Sequence, residues 1–334
     1  TGFRTGSTEL HGLRKGWGRS VHMQGLAVGT ALLFGVGIWR WRRQAVQPPI
    51  CDAASIRRMT LIGHRGASAV CPENTLAAFH HALLHGAGFE MDISACETGE
   101  VIVLHDDTLR RTATLKPGVH RSTRGVLDTV MKELPLKTLQ DFDVGSWMGE
   151  KWSGEEVPLF EQALSILVEL GASPTAHTFA ELKANDEGRI DSMYDARLPP
   201  AAAKAVHNKK VTPVQLTWIS FSLSLAIEMK RLMPSYSCLL IGMASSERTA
   251  WAYAYKCVEA GLDGVDLNAG AHVSKELVQW LHARGKKVAV WVYRAPAIND
   301  TEEDWNAMAA AGVDFFTSNL PPAIYEWHRA ACAG

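Results

Sequence analysis

The stretch MTLIGHRGASAVCPENTLAAFHHALLHGAGFEMDIS, residues 59–94, carries the pattern on which the fold turns. It begins with a short apolar run at 59–64 and ends with another at 88–94. Between them, Asn74 and Thr75 offer side-chain oxygens to the free N–H groups of a first helical turn, and Gly86 suits the left-handed residue that ends a helix. The stretch therefore predicts strand, helix and strand in succession. The alternation runs on to the C-terminus through VIVLH (101–105), TFAELK (178–183), TWISFS (217–222), SCLLIG (237–242), DGVDLN (263–268), VAVWVY (288–293) and DFFTSN (314–319), with Ser274 placed to cap the helix KELVQWLHARG. Alternating strands and helices imply an α/β protein, and 334 residues leave room for a (β/α)8 TIM barrel of about 250 residues with an extension.

Nine candidate strands are one too many for such a barrel. Only six residues separate 88–94 from 101–105, too few for a crossover helix, so that pair is expected to include a hairpin or an irregular return. The region around 107–160 lacks the rhythm, carries Gly118, Gly125, Gly145, Gly149 and Gly154, and reads as an insertion. The resulting division is an extension at 1–23, an apolar segment at 24–41, a linker at 42–58 and the barrel at 59–334.

Composition narrows the function. With 47% hydrophobic and 21% charged residues the chain is neither disordered nor collagen-like. A formal net charge of −1 and no long basic block argue against nucleic acid as a partner. The six cysteines, at 51, 71, 96, 238, 257 and 332, form no C-x-x-C pair and read as mostly reduced thiols. From Gln24 to Trp39 no residue is charged, and Arg40, Arg42 and Arg43 follow at once. The run is slightly short of the roughly 20 residues that span a bilayer. Trp39 and Trp41 beside the arginines suit a membrane interface. A single N-terminal anchor holding a soluble catalytic domain at a membrane is the first reading, a cleaved secretory or organelle-targeting segment the second, and an ordinary helix the third. Oligomeric state is not legible.

The chemistry lies at the C-terminal ends of the strands, where α/β barrels assemble their sites. Glu90 and Asp92 are two apart on a strand, so both point to one face; Glu181 and Lys183 repeat the arrangement on a later strand. Three carboxylates from two strands repel unless a cation joins them, and oxygen donors of this kind suit one divalent cation, Mg²⁺ or Ca²⁺. His64 and His105 each end a strand and supply a base and an acid near neutral pH. Arg65 adds a planar fork for a phosphate, and Gly66 permits close backbone approach. Taken singly, E-x-D, H-R-G or E-x-K is most often a polar face or a salt bridge. In order, each at a strand end, they point to displacement at a phosphodiester.

The same residues resemble a known family. HRGASAVCPENTLAAF, E-M-D, GEVIVLHDDTLRRT and E-L-K are similar to the pattern HRG, PENT, E-x-D, HD-x-T-x-x-R-T and E-x-K of glycerophosphodiester phosphodiesterases, and the resemblance continues through 143–164, 219–222, 288–293 and 312–321. It implies a metal-dependent TIM barrel that hydrolyses glycerophosphodiesters to glycerol 3-phosphate and an alcohol. His64 and His105 would be the catalytic pair, Glu90, Asp92 and Glu181 the metal ligands, and Arg65 and Lys183 the phosphate contacts. The chain departs from the family at Trp291-Val292-Tyr293-Arg294, in place of W-T-V-N, and at Thr317-Ser318-Asn319-Leu320-Pro321, in place of T-D-x-P. Both departures lie where the glycerol or the alcohol could be recognised. Trp291 either stacks on substrate or fills the barrel; Ser220 and Phe221 are weaker candidates, and His80, His81 and His85 read as helix-surface or packing residues. Lysophospholipid is an alternative substrate, through lysophospholipase D chemistry. A non-catalytic phosphate-ester-binding barrel and a lyase of the sphingomyelinase D kind are further competitors.

Overall fold

A computed structural model describes residues 52–119, 121–169, 177–184, 195–293 and 300–333. The apolar segment 24–41, the linker up to Cys51, and Arg294 lie outside the described residues. Among those described, no helix is long and apolar enough to cross a membrane.

The strands are β1 (Thr60–Gly63), β2 (Gly88–Ala95), β3 (Val101–Val103), β4 (Thr114–Leu115), β5 (Phe142–Asp143), β6 (Thr178–Leu182), β7 (Leu216–Ser220), β8 (Ser237–Gly242), β9 (Gly264–Asn268), β10 (Lys287–Trp291) and β11 (Phe315–Ser318). Eight of them run parallel in the order β1, β2, β6, β7, β8, β9, β10, β11. β1 pairs with β11 on one side and with β2 on the other, Ile62 opposite Gly88, and this closes the barrel. The surplus strand is β3. It pairs antiparallel with β2, Ile93 opposite Val103, so the short spacing in the sequence is a hairpin.

Every residue of β2 is buried, as expected of a strand covered on both faces. Phe89, Met91 and Ile93 pack outward beneath the helices, while Glu90 and Asp92 take the alternate face. Inside the barrel, Ile62, Phe179, Ile219, Leu239, Ile241, Ala289 and Phe315 form a separate apolar cluster that fills it below the site. The helix caps follow the sequence: Thr75 accepts from the Ala78 N–H and Ser274 from the Leu277 N–H. The insertion forms a β4–β5 ribbon and short 3-10 turns around its own core, in which Leu109, Met131, Leu139 and Phe142 pack on Ile102 of β3.

Cys71, Cys96, Cys238, Cys257 and Cys332 are unbridged, and burial pushes the Cys238 and Cys257 thiols up to about 12. Cys238 and Cys257 are packing residues, protonated at neutral pH.

At the foot of β6, His177 lies against Phe315 and Phe179, with ring centroids 5.2 and 5.7 Å away, and its nitrogens meet Val214 O and Thr217 Oγ1 at 2.8 and 2.9 Å. Burial pulls this imidazole down to about 4. An unfolded imidazole takes up its proton near 6.5, so His177 costs the folded state stability as pH falls from about 6.5 towards 4. Melting temperatures of wild type and His177→Gln between pH 7.5 and 4.5 isolate its share, because all other groups act in both proteins. The variant should show the shallower acid decline, by about 2–5 °C across the range. Equal slopes would mean that His177 is already charged when folded.

Candidate active site

Glu90, Asp92 and Glu181 meet at the upper end of the barrel. Register places Asp92 beside Glu181, and one oxygen from each of the three carboxylates lies within 4.8 Å of the others. All three are buried. Lys183 Nζ sits 3.2 Å from Asp92 Oδ1 and 3.1 Å from Glu181 Oε1. Asn74 grips Asp92 twice: its Nδ2 donates to Oδ2 at 2.7 Å and its Oδ1 accepts from the Asp92 N–H at 3.2 Å. Burial pushes the Asp92 carboxyl up, but the charges of Lys183, His105 and Arg65 outweigh it and hold Asp92 well below the usual carboxylate range. Glu90 has less support. One oxygen accepts the Arg65 backbone N–H at 2.7 Å, and the other has no hydrogen-bond partner among the described residues. Burial, then the charges of Asp92 and Glu181, push its carboxyl well up. Three buried carboxylates facing one ammonium and one guanidinium, with an orphaned oxygen among them, fit a hard divalent cation held by oxygen ligands.

The HRG turn sets this cluster. Arg65 and Gly66 are both left-handed, with φ of +55° and +77°, and a Cβ at position 66 would lie within 2.7 Å of Ala78. A left-handed arginine costs about 1–3 kcal/mol. The conformation is held because it delivers the Arg65 N–H to Glu90 while Nη1 meets Glu73 at 2.8 Å and Nε lies 3.5 Å from Asp92.

The two histidines stand in opposite surroundings. His64 Nδ1 is 2.9 Å from Asn319 Oδ1, and Asn319 Nδ2 donates to Tyr293 O at 2.6 Å, which turns the amide oxygen towards the ring. His64 therefore carries its proton on Nδ1 and keeps a lone pair on Nε2. Burial, then the Arg65 charge, pulls it down to about 3, so it is neutral at pH 7. His105 Nδ1 instead meets a carboxylate, Asp106 Oδ1, at 2.7 Å. Asp106 is clamped by Arg111 Nε and Nη2 at 2.7 and 2.8 Å, and Arg111 reaches both oxygens of Glu73, which returns to Arg65. Burial raises the Asp106 carboxyl, but the hydrogen bonds from His105 and Arg111 prevail and hold it low.

His64, Arg65, Glu90, His105 and Glu181 open onto one cavity of about 270 Å³. Its opposite wall is apolar, built from Ile219, Phe221, Ile241, Met243, Trp291 and Tyr293. Trp291 thus faces the cavity and also packs edge-on against Phe221, with centroids 5.9 Å apart. The Lys183 ammonium does not line this cavity; it sits between Asp92 and Glu181. Ser220 donates to Leu182 O, a structural bond, and His81 and His85 stack on each other on the first helix.

Several members of the site escaped the sequence reading. Asn74 was visible there only as a candidate helix cap; the cap is Thr75, and the Asn74 amide holds Asp92. Glu73 and Arg111 were present in the motif strings without a role, and Asp106 only as the neighbour of His105. Asp266 was passed over inside DGVDLN although, as an acid on a barrel strand, it was open to the same alternation argument as Glu90. It is 1% exposed and lines the cavity, and burial, then Glu181, push its carboxyl well up.

Comparison with known proteins identifies a family and a shared fold. The model of the glycerophosphoryl diester phosphodiesterase family matches residues 64–322. The glycerophosphodiester phosphodiesterase of Caldanaerobacter subterraneus is 25% identical over 278 residues, 80% of this chain and 97% of that protein. Other relatives match over less: in the enzyme of that name from Bacillus altitudinis, 30% identity extends over 110 residues, 33% of this chain and 40% of that protein. The fold is shared with an Oleispira antarctica phosphodiesterase solved in complex with the product sn-glycerol-3-phosphate, at a TM-score of 0.63 and 23% identity, covering 85% of this chain and 100% of that one.

If the carboxylate cluster is a cation site, neutralising Glu90 should have opposite effects with and without metal. In chelator, Glu90→Gln should melt at or above the wild-type temperature, because one of three repelling charges is gone. In millimolar Mg²⁺ or Ca²⁺ it should lose most of the stabilisation that wild type gains. A full cation-induced shift in the variant would remove Glu90 from the ligand set.

Proposed function

The chain belongs to the glycerophosphoryl diester phosphodiesterase family, and on that premise we propose that it hydrolyses glycerophosphodiesters to sn-glycerol 3-phosphate and an alcohol with one divalent cation, His64 as base and His105 as acid. The carrying observation is the contrast between the two imidazoles: one buried and neutral on an amide, the other on a clamped carboxylate, both opening onto the cavity beside the acidic cluster. Glu90, Asp92 and Glu181 would hold the cation, Mg²⁺ or Ca²⁺. When bound, it supplies electrostatic stabilisation of the charge that develops on the phosphoryl oxygens.

His64 Nε2 receives the proton of the attacking hydroxyl, whether that of water or of the adjacent glycerol carbon. Asn319 keeps the other nitrogen protonated, so the ring presents its lone pair and not its N–H. The Asp106 carboxylate holds His105 Nδ1 and so orients the ring, whose proton goes to the departing alkoxide. Arg65 sets its charge at the phosphate side of the cavity, and Lys183 holds Asp92 and Glu181 in place.

One observation favours a second substrate class. The wall of Phe221, Trp291, Tyr293 and Met243 could accommodate the acyl chain of a lysophospholipid, for which lysophosphatidate would be the product. The apolar run at 24–39 adds a proposed tether that would hold the barrel at a membrane. Recovery of the full chain in the soluble fraction of its host, without detergent, would overturn the tether alone.

The test of the chemistry incubates the full chain with glycerophosphocholine, glycerophosphoethanolamine, glycerophosphoinositol and lysophosphatidylcholine, in Mg²⁺, Ca²⁺ or chelator, and quantifies both phosphomonoester products. Cation-dependent release of sn-glycerol 3-phosphate is the expected result. His64→Ala and His105→Ala should each lose about 10²-fold or more in kcat. A diester with a nitrophenolate leaving group needs no acid, so it should largely spare His105→Ala and not His64→Ala; the reverse pattern would exchange the two roles.

A further inference from the structure

His64 is held by the two residues at the end of β11 and just after it. Ser318 O accepts the His64 N–H at 2.8 Å, and Asn319 Oδ1 lies 2.9 Å from His64 Nδ1. The same two residues are gripped in turn by Asp300, a carboxylate 4% exposed just before the helix Glu302–Ala311. Asp300 Oδ1 accepts from Ser318 Oγ at 2.8 Å, and its Oδ2 accepts from the Asn319 N–H at 2.9 Å. A third donor, Trp305 Nε1 on that helix, reaches Oδ1 at 2.9 Å.

Asp300 does not line the cavity, and a buried carboxylate that joins a helix to a barrel is an ordinary structural device. Two features go further. All three partners are donors, which suits an ionised carboxylate, an acceptor only. Two of the three belong to the very residues that touch His64, one through its backbone and one through its ring. A charge-assisted bond to the Asn319 N–H fixes where that side chain starts, and Asn319 Nδ2 on Tyr293 O, at 2.6 Å, fixes which way its amide faces. The amide oxygen at Nδ1 decides which nitrogen of the ring carries the proton. Once that oxygen drifts, the Nε2–H form becomes populated, and in that form Nε2 has no lone pair for an incoming proton.

We propose that Asp300 is a positioning residue: by anchoring Ser318 and Asn319 it keeps the Asn319 amide oxygen on His64 Nδ1, and so keeps His64 in the tautomer whose Nε2 accepts a proton. This rests on the phosphodiesterase reading above for the use to which that nitrogen is put, and it adds to the site a carboxylate that touches neither substrate nor cation.

The test uses the full chain and compares wild type with Asp300→Asn, Asp300→Ala, Trp305→Phe, Asn319→Ala and the double variant Asp300→Asn/Asn319→Ala. One readout is kcat and KM for cation-dependent turnover of glycerophosphocholine. The other is the ¹⁵N chemical shifts of His64 in cation-free protein, recognised among those of the 13 histidines by their absence from His64→Gln. Wild type should show Nδ1 protonated and Nε2 unprotonated near neutral pH. Asp300→Asn should lose at least about tenfold in kcat with KM changed less than about twofold, and its His64 signals should move towards the Nε2-protonated form. Asp300→Ala should do the same more strongly, and the near-isosteric asparagine carries the test if the alanine variant does not fold. Trp305→Phe removes only the donor on the helix, so it should melt at a lower temperature yet keep kcat within about threefold of wild type. If Asp300 acts through Asn319, the double variant should fall less than about twofold below Asn319→Ala alone. Unchanged kcat and tautomer in folded Asp300→Asn would overturn the proposal. So would losses that multiply in the double variant or are matched by Trp305→Phe, because the carboxylate would then serve only to pack the helix. Absence of turnover by wild type would overturn the phosphodiesterase reading instead, and the His64 tautomer alone would then decide whether Asp300 positions the ring.

Discussion

Mutual repulsion among Glu90, Asp92 and Glu181 is the constraint around which the rest of the site is arranged. Parallel strands spend their own N–H groups on their neighbours, so the barrel has few backbone donors to offer carboxylates on its inner face. Compensation comes from elsewhere: the Asn74 amide on Asp92, the Lys183 ammonium between Asp92 and Glu181, and the Arg65 N–H on Glu90. The supply is uneven. Asp92 takes most of it and is firmly ionised, while Glu90 retains an orphaned oxygen and a raised carboxyl. That imbalance marks the carboxylate of the three with the least compensation from the protein itself. The left-handed turn at Arg65 is a consequence of the same need, because no extended residue could aim its N–H at Glu90 from the end of β1.

Charge also differentiates two residues of the same type. His64 is buried beside Arg65 and cannot hold a second proton; His105 sits on Asp106, whose own charge is fixed by Arg111. Glu73 ties the halves together, since it receives both Arg65 and Arg111. The surroundings of the two imidazoles are thus joined by one continuous run of alternating charged side chains that starts at the HRG turn and ends at His105. Part of that run comes from the insertion, through Arg111, which explains why a segment without β/α rhythm belongs to the site and is not a loose excursion.

How much of this was readable from the chain follows from the range of each interaction. The barrel was legible because strand alternation and helix caps are local, and so was the inward pairing of Glu90 with Asp92, which period-two geometry dictates. The surplus strand resolved as a hairpin for an equally local reason, a six-residue spacing. Contacts that join distant segments were not legible. Nothing in the sequence near His64 announces Asn319, and Asn74 read as a candidate cap, which concealed its bond to Asp92. Lys183 was assigned to phosphate by resemblance; its ammonium meets the carboxylates of Asp92 and Glu181, contacts that the i, i+2 spacing alone does not announce, since it fixes which face the side chain takes and not what it reaches.

Asp266 shows the same limit from the other side. Its parity within β9 was available, but an isolated acid on a strand has no distinguishing pattern, and its companions in the cavity, Trp291 and Thr317, stand on the next two strands of the chain. The barrel interior is therefore divided by strand. Charged and imidazole groups come from the ends of β1, β2, β3 and β6, apolar surface from β7 and β8, and buried polar atoms without partners among the described residues from β9 to β11, a division of the cavity that only closure of the barrel makes visible.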